Sequence, residues 1–365
     1  MAGSSFGKHF KVTTWGESHG KAIGAVIDGV PAGLTLTEED LAVFLMRRKP
    51  GMNPFSTQRT ENDRPKILSG TFHNITTGTP VSVIIPNTSQ NSSDYDDLAG
   101  VFRPGHADYS YEKKYGIRDY RGGGRSSGRE TAGRVIAGAV ASKILSTVSV
   151  DVTAYTKSIG PVELKRTDFT KEDIFSSSLY LPDRELTKQA ENYLKQCMAG
   201  NDSAGGVVEC VVNGMPAGVG EPVFDKLDAE LSKAVMSIGA VKAVEIGDGV
   251  KVSQMTGSQN NDPFIINSGK IEKKSNHSGG LLGGISDGGQ IVLRAHIKPT
   301  PSISRKQSTV TGENRETEIE IHGRHDPVIV PRAVVVVESM VAVTLLDAMI
   351  DNMSSRLSSF TSFYR

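Results

Sequence analysis

The stretch "AVVVVESMVAVTLLDAMI" (333–350) constrains the fold of this chain more than any other. It is the most apolar segment, yet its length barely reaches the minimum for crossing a bilayer. It also carries Glu338 and Asp347. It therefore reads as a buried helix, and the remaining chain must supply a core around it. With 365 residues, 37% of them hydrophobic, the chain can form one large core or two smaller ones. The N-terminus "MAGSSFGKHFKVTTWG" lacks the apolar core of a secretory signal. Cys197 and Cys210 are the only cysteines and show no CxxC or zinc spacing, so they read as reduced. These features predict a cytoplasmic protein without a membrane partner.

Strands and helices alternate along the whole length. "HFKVTTWG" and "KAIGAVIDGVP" predict two strands around a "GESHG" turn. "LTEEDLAVFLMRRKPG" predicts a helix capped by Thr37, with an apolar stripe at Leu41, Phe44 and Leu45 and a stop at Pro50-Gly51. Strands are expected at 66–72, 80–86, 206–213, 241–246, 290–297 and 317–322. Amphipathic helices are expected at 184–198, at 224–237 and from Gly128 onward, the last with Ala132, Val135 and Ala139 on one side. "PNTSQNSSDYDD" reads as a surface loop. No fixed-period repeat or linker composition divides the chain. The pattern predicts a single α+β domain over 1–365.

The chemistry concentrates in "YRGGGRSSGRETAGRV" (120–135). Gly122, Gly123 and Gly124 permit backbone conformations that other residues resist. Ser126, Ser127 and the first amides of the following helix converge on one spot, and Arg125 and Arg129 add bidentate donors. Together they predict an anion site. No GxxxxGK[ST] is present, so it is not a nucleoside-triphosphate loop. Further basic turns occur at "RRKPG" with Arg48, "FRPGHADY" with Arg103 and His106, "HIKPTPSIS" with Lys298, Thr300 and Ser302, and "HGRHDP" with Arg324 and Asp326. Two like charges at ~4 Å repel by roughly 4 kcal/mol at an effective dielectric near 20. Five or six arginines gathered without an anion would thus be strongly self-repulsive, which predicts a ligand with several negative charges.

His19, between glycines, and His106, after Pro-Gly, lie off any apolar helical face. Each can protonate a leaving group near neutral pH. Two other classes compete. An RNA-binding tail would use "RGGGR", but the chain has 41 basic and 41 acidic residues and hence zero net charge, and lacks aromatic-basic repeats. A zinc hydrolase would use the scattered histidines, but HExxH is absent.

These stretches closely resemble the chorismate synthase family over essentially the whole chain. The likeness rests on "TTWGESHGKAIGAVIDGVPAG", "RRKPG", "ILSGTFHNITTGTP", "FRPGHADYSYEKKYGIRDYRGGGRSSGRETAGRV", "VEIGDG", "GGISDGGQI", "KPTPSI" and "GRHDPVIVPRAV". The resemblance implies a β-α-β sandwich with a central helical layer, usually assembled as a homotetramer. It implies conversion of 5-enolpyruvylshikimate 3-phosphate to chorismate and phosphate by anti 1,4-elimination, with reduced FMN as cofactor. The hydrogen lost is not next to a carbonyl, so a side-chain base alone faces a poor acid; a reduced flavin answers that difficulty. By resemblance His19 protonates the departing phosphate, His106 stabilises the anionic flavin, and Asp326 relays a proton near flavin N5. Flavin contacts carry over to Arg125, Ser126, Ser127, Gly239, Ala240, Gly283, Lys298, Pro299, Thr300, Pro301, Ser302 and Arg324. Substrate contacts carry over to Ser18, Arg48, Arg103, Ser127, Arg129 and Arg324. Many relatives have a further arginine where this chain has Pro54, and Arg59 is the nearest substitute. Some relatives reduce their own flavin with NAD(P)H; the lack of a GxGxxG after a strand favours an outside source here, with NADPH as the ultimate reductant.

Overall fold

A computed structural model describes residues 3–51, 54–56, 62–88, 99–321 and 326–365. Two five-stranded antiparallel sheets enclose a layer of helices. The first sheet contains β1 (Ser5–Phe6), β2 (Lys11–Gly16), β3 (Ala22–Asp28), β4 (Lys66–Ser69) and β7 (Val81–Pro86), ordered β1-β2-β3-β7-β4. The hairpin β5–β6 (Thr71–Phe72, Ile75–Thr76) lies between β4 and β7 in sequence. The second sheet contains β8 (Asp151–Ile159), β9 (Val162–Glu163), β10 (Gly206–Asn213), β11 (Val241–Ile246) and β16 (Ile291–Ile297), ordered β11-β16-β10-β8-β9. Alternation along each strand sets the inward face: Ile23, Ala25 and Ile27 on β3 and Val208, Cys210 and Val212 on β10 are fully or almost fully buried.

The helical layer is built by α1 (Glu38–Arg48), α3 (Thr131–Ser146), α6 (Leu227–Met236) and α8 (Val330–Asn352). One continuous core draws side chains from both sheets and these helices. Outside the helical layer lie α2 (Asp108–Tyr115), α4 (Lys171–Ser176), α5 (Arg184–Ala199), α7 (Gly257–Asn260) and α9 (Leu357–Phe363), of which α4 and α5 add Ile174, Ala190 and Leu194 to the core. The remaining hairpins are β12–β13 (Phe264–Asn267, Lys270–Lys273), β14–β15 (Leu281–Leu282, Ile285–Ser286) and β17–β18 (Lys306–Val310, Glu316–Glu320).

The predicted apolar helix is α8, and 78% of its most apolar window is buried. Both of its carboxylates are used. Glu338 accepts two hydrogen bonds from Arg47 on α1, at 2.5 and 2.8 Å, and a third from the backbone N–H of Ala154 on β8 at 3.0 Å. Asp347 accepts from the backbone N–H groups of Lys8, His9 and Phe10 at 2.7–2.8 Å. A carboxylate inside an apolar helix is thereby paired rather than stranded.

Thr37 caps α1 as predicted, in a reciprocal box with Asp40. The helix expected from Gly128 begins instead as a 3-10 turn at Gly128–Glu130 and becomes α3 at Thr131. It is also not amphipathic. Apart from Arg134, every residue from Thr131 to Ala141 is buried, because α3 runs in the middle layer between the two sheets. Its glycines allow that: a Cβ on Gly138 would lie 2.1 Å from Ser339 Cβ on α8.

Candidate active site

A cavity of about 640 Å³ opens at one end of the helical layer. Loops distant in sequence meet there: the β2–β3 turn, the end of α1, residues 103–107 and 122–131, the segment after α6, the segment after β16, and the start of α8.

The glycine run positions the first wall. Gly122 and Gly123 have φ of +75° and +85°, which a side chain resists. A Cβ on Gly122 would lie 2.3 Å from Cε1 of His19, so the loop can approach that ring only as glycine. Ser18 Oγ lies 3.2 Å from His19 Nδ1 and donates to the Gly122 carbonyl at 3.3 Å. Arg125 reaches back to the carbonyls of Gly16 and Thr14, each at 3.2 Å, and to Thr14 Oγ1 at 2.7 Å. Ser127 accepts from the Arg129 N–H at 3.3 Å, the capping contact that opens the 3-10 turn.

On the opposite wall, His106 Nδ1 lies 2.9 Å from the Pro104 carbonyl and Nε2 lies 2.8 Å from Ser302 Oγ. A carbonyl only accepts, so Nδ1 carries the proton and donates to it, and a neutral ring leaves Nε2 to accept from the serine hydroxyl. Burial, with the Arg103 charge adding to it, pulls the imidazole down to about 4, so the ring is neutral at pH 7 in the ligand-free chain. Lys298 donates to the Gly105 carbonyl at 2.7 Å, and its backbone N–H donates to the Ala240 carbonyl at 3.0 Å. Burial, then the nearby Lys242, lowers its pKa.

Among the described residues, seven arginines and lysines line the cavity: Arg48, Arg103, Arg125, Arg129, Arg134, Lys298 and Arg332. The expectation that such a cluster is intolerable without a ligand is corrected by their partners. Asp63, its side chain 2% exposed, accepts from Arg48 at 2.8 Å and from Arg129 at 2.7 Å. Burial would raise its pKa, but the two guanidiniums outweigh that and hold it below the usual carboxylate range. Asp108 does the same for Arg103 through Nε and Nη2, both at 2.8 Å, and also pairs with Arg118. Glu130 pairs with Arg134 at 2.7 Å, and Asp326 pairs with Arg332 at 2.5 Å. Five cavity arginines thus arrive already matched. Among the described residues, only Arg125 and Lys298 have hydrogen-bond partners restricted to neutral oxygens.

The cavity collects Ser18, His19, Arg48, Arg103, His106, Arg125, Ser126, Ser127 and Arg129 from the predicted set. From later in the chain it gathers Gly239, Ala240, Lys298, Thr300, Pro301, Ser302 and Asp326. Pro299 lies on the same segment without facing it. Gly283 does not line the cavity within this chain: it lies in the β14–β15 turn, whose next residue, Gly284, accepts from the Leu227 N–H at the start of α6, whereas the cavity meets the far end of α6 at Ser237. Arg324 and Arg59 lie outside the described residues. Pro54 is exposed and takes no part in the wall.

Sequence reading missed Asp63, Asp108, Arg134, Ser237 and Arg332. Arg332 left one signal, an arginine in the first turn of an otherwise apolar helix, where a charge needs a partner. Asp63 and Asp108 are single carboxylates in loop-like or helix-starting sequence and left none.

The donor set suits an anionic flavin. Two cations lack a carboxylate partner, and the Thr300 hydroxyl and the Arg48 Nε are buried without a hydrogen-bond partner among the described residues. These are groups that an anion or a heterocycle's polar edge would satisfy.

Comparison with known proteins gives the same answer. The sequence profile described as chorismate synthase matches residues 10–350. A chorismate synthase of Agathobacter rectalis is 56% identical over 365 residues, covering 100% of both chains. One from the archaeon Methanococcoides burtonii is 52% identical over 353 residues, covering 96% of both. A crystal structure of a chorismate synthase superposes with a TM-score of 0.76 at 29% identity, covering 98% of this chain and 97% of that one. By sequence over its full length and by the architecture of its sandwich, the chain belongs to the chorismate synthase family.

Proposed function

We propose that this cavity binds 5-enolpyruvylshikimate 3-phosphate beside reduced FMN and releases chorismate and phosphate by anti 1,4-elimination. The observation that carries the reading is the convergence of His19, His106, Ser127 and Asp326 on one arginine-lined hollow. When bound, reduced flavin supplies the reducing power and the basic nitrogen needed to remove a hydrogen not adjacent to a carbonyl.

The chain's own residues do the rest. Arg48 and Arg129, held from behind by Asp63, present donors to the substrate's anionic groups, and Arg103, held by Asp108, presents another. Ser18 fixes the ring of His19, which gives its proton to the departing phosphate. Arg125 and Lys298 supply the unmatched positive charge for the flavin, with Ser126, Thr300 and Ser302 as hydroxyl partners. An anion beside His106 raises its pKa from the low ligand-free value, so the ring gains a proton as the site fills. Asp326, oriented by Arg332, passes on the proton removed from the substrate. Walls of Ile329, Ala333 and Val336 exclude water on the α8 side.

An anaerobic assay with substrate and chemically reduced FMN tests this reading by the appearance of chorismate. His19→Ala is expected to lower turnover by two orders of magnitude or more; unchanged turnover overturns the role given to His19. The reading places flavin reduction outside the chain, with NADPH feeding a separate reductase. Oxidised FMN that stays oxidised with the protein and NADPH alone supports that placement, and bleaching overturns it. It also takes residues 1–365 as one catalytic domain of a cytoplasmic homotetramer. Light scattering against the 39.0 kDa chain mass tests the assembly.

A further inference from the structure

Asn87 follows β7 and lines no part of the cavity, yet it joins two of its working parts. Its Nδ2 donates to the carbonyls of Glu17 at 3.0 Å and Gly20 at 2.8 Å, the two residues that bracket Ser18 and His19 in the β2–β3 turn. Its backbone N–H donates to the Lys21 carbonyl at 3.1 Å. Its Oδ1 accepts from Arg129 Nε at 2.8 Å. The partners fix the orientation of the amide, because two carbonyls can face only the NH2 and a guanidinium N–H can face only the oxygen. Both side-chain donors are spent on one turn and the acceptor on one arginine.

Several contacts hold that turn, among them the Ser18 Oγ bond to the Gly122 carbonyl. It is a five-residue connection, Glu17–Lys21, between β2 and β3, closed by a backbone hydrogen bond from the Gly20 N–H to the Glu17 carbonyl at 3.1 Å. Arg125 holds its beginning through the Gly16 carbonyl. Asn87 ties the first residue of the turn, Glu17, to its last two, Gly20 and Lys21. Through Arg129 and Asp63 the same chain of contacts continues to Arg48, so the turn bearing His19 and the substrate-facing arginines share one frame.

We propose that Asn87 is a positioning residue that acts through the Glu17–Lys21 turn to hold His19 in line with the leaving group and to register it against Arg129. The proposal rests on the role given above to His19. It touches neither substrate nor flavin, and its effect on turnover is carried by the histidine.

Asn87→Asp is the discriminating change. The carboxylate keeps an acceptor for Arg129 but loses both donors and turns an oxygen toward two carbonyls. The expected result is a fall in kcat of at least tenfold, with KM for the substrate within about threefold and FMN affinity within about twofold of the parent. In the double variant with His19→Ala, kcat is expected within about threefold of His19→Ala alone, since a residue acting through His19 has nothing left to act on. Independent, multiplying penalties overturn the proposal, as does a folded Asn87→Asp with kcat within twofold of the parent. If Asn87→Asp does not fold, Asn87→Ala serves, and is expected to lower kcat and also raise KM because Arg129 loses its acceptor. A His19→Ala variant with parental turnover would sink the histidine's role itself; a dead His19→Ala beside a normal Asn87→Asp sinks only the positioning role.

Discussion

His106 shows how far one residue's behaviour follows from its surroundings. The ring is neutral in the ligand-free chain because burial and Arg103 pull its pKa to about 4. An unfolded histidine titrates near ~6.5, so between pH 6.5 and 4 the unfolded chain binds a proton that the folded chain refuses. Stability therefore falls as pH drops through that window, by up to roughly 3 kcal/mol from this group. His106→Gln is expected to lose less of its melting temperature than the parent between pH 6.5 and 4.5, as read by thermal unfolding without ligand. Equal losses would show that His106 is not depressed. The residue types at the site were legible because they are chemically unusual together: glycine triplets, arginines beside hydroxyls, histidines off any apolar face. Asp63 and Asn87 were not. A lone Asp or Asn in a loop has the same local sequence whether it tethers two arginines or makes an ordinary turn, and only the fold brings the partners.

Among the elements, those with a clear period were read correctly. β10 and β11 have the predicted limits, and α5 and α6 agree to within a few residues. The strand β8 escaped notice, although it lies between β10 and β9. Its sequence "DVTAYTKSI" alternates poorly because its hydroxyls serve a neighbour: Thr156 Oγ1 donates to the Leu179 carbonyl, and its N–H to Tyr180. Such non-local pairing leaves no periodic trace. The helix α3 was read as one-sided for a similar reason, since what covers its second face comes from distant sequence. Its contact with α8 gives the prediction at this scale. Gly138→Ala places a methyl 2.1 Å from Ser339 Cβ, and the two helices must part. Urea unfolding is expected to show a loss of about 1–3 kcal/mol. A loss below 0.5 kcal/mol would mean that the helices are not so closely apposed.

For the whole molecule, 41 basic and 41 acidic residues cancel, so attraction for anions has to be local. It is also uneven within the cavity. Arg48, Arg129 and Arg103 are matched by Asp63 and Asp108, whereas Arg125 and Lys298 have no carboxylate among the described residues. Added salt screens exposed, unmatched charge first. Raising sodium chloride from 50 to 500 mM is therefore expected to weaken FMN binding more steeply than it raises the substrate KM measured at saturating flavin; the opposite order would contradict this division of charge. Because Arg48, Arg103 and Arg129 already have a carboxylate behind them, the resting enzyme needs no chloride or sulfate beside these three. Choice among polyanions then falls to the fixed layout of N–H groups, and a small inorganic ion with the right charge but the wrong span finds little to hold it.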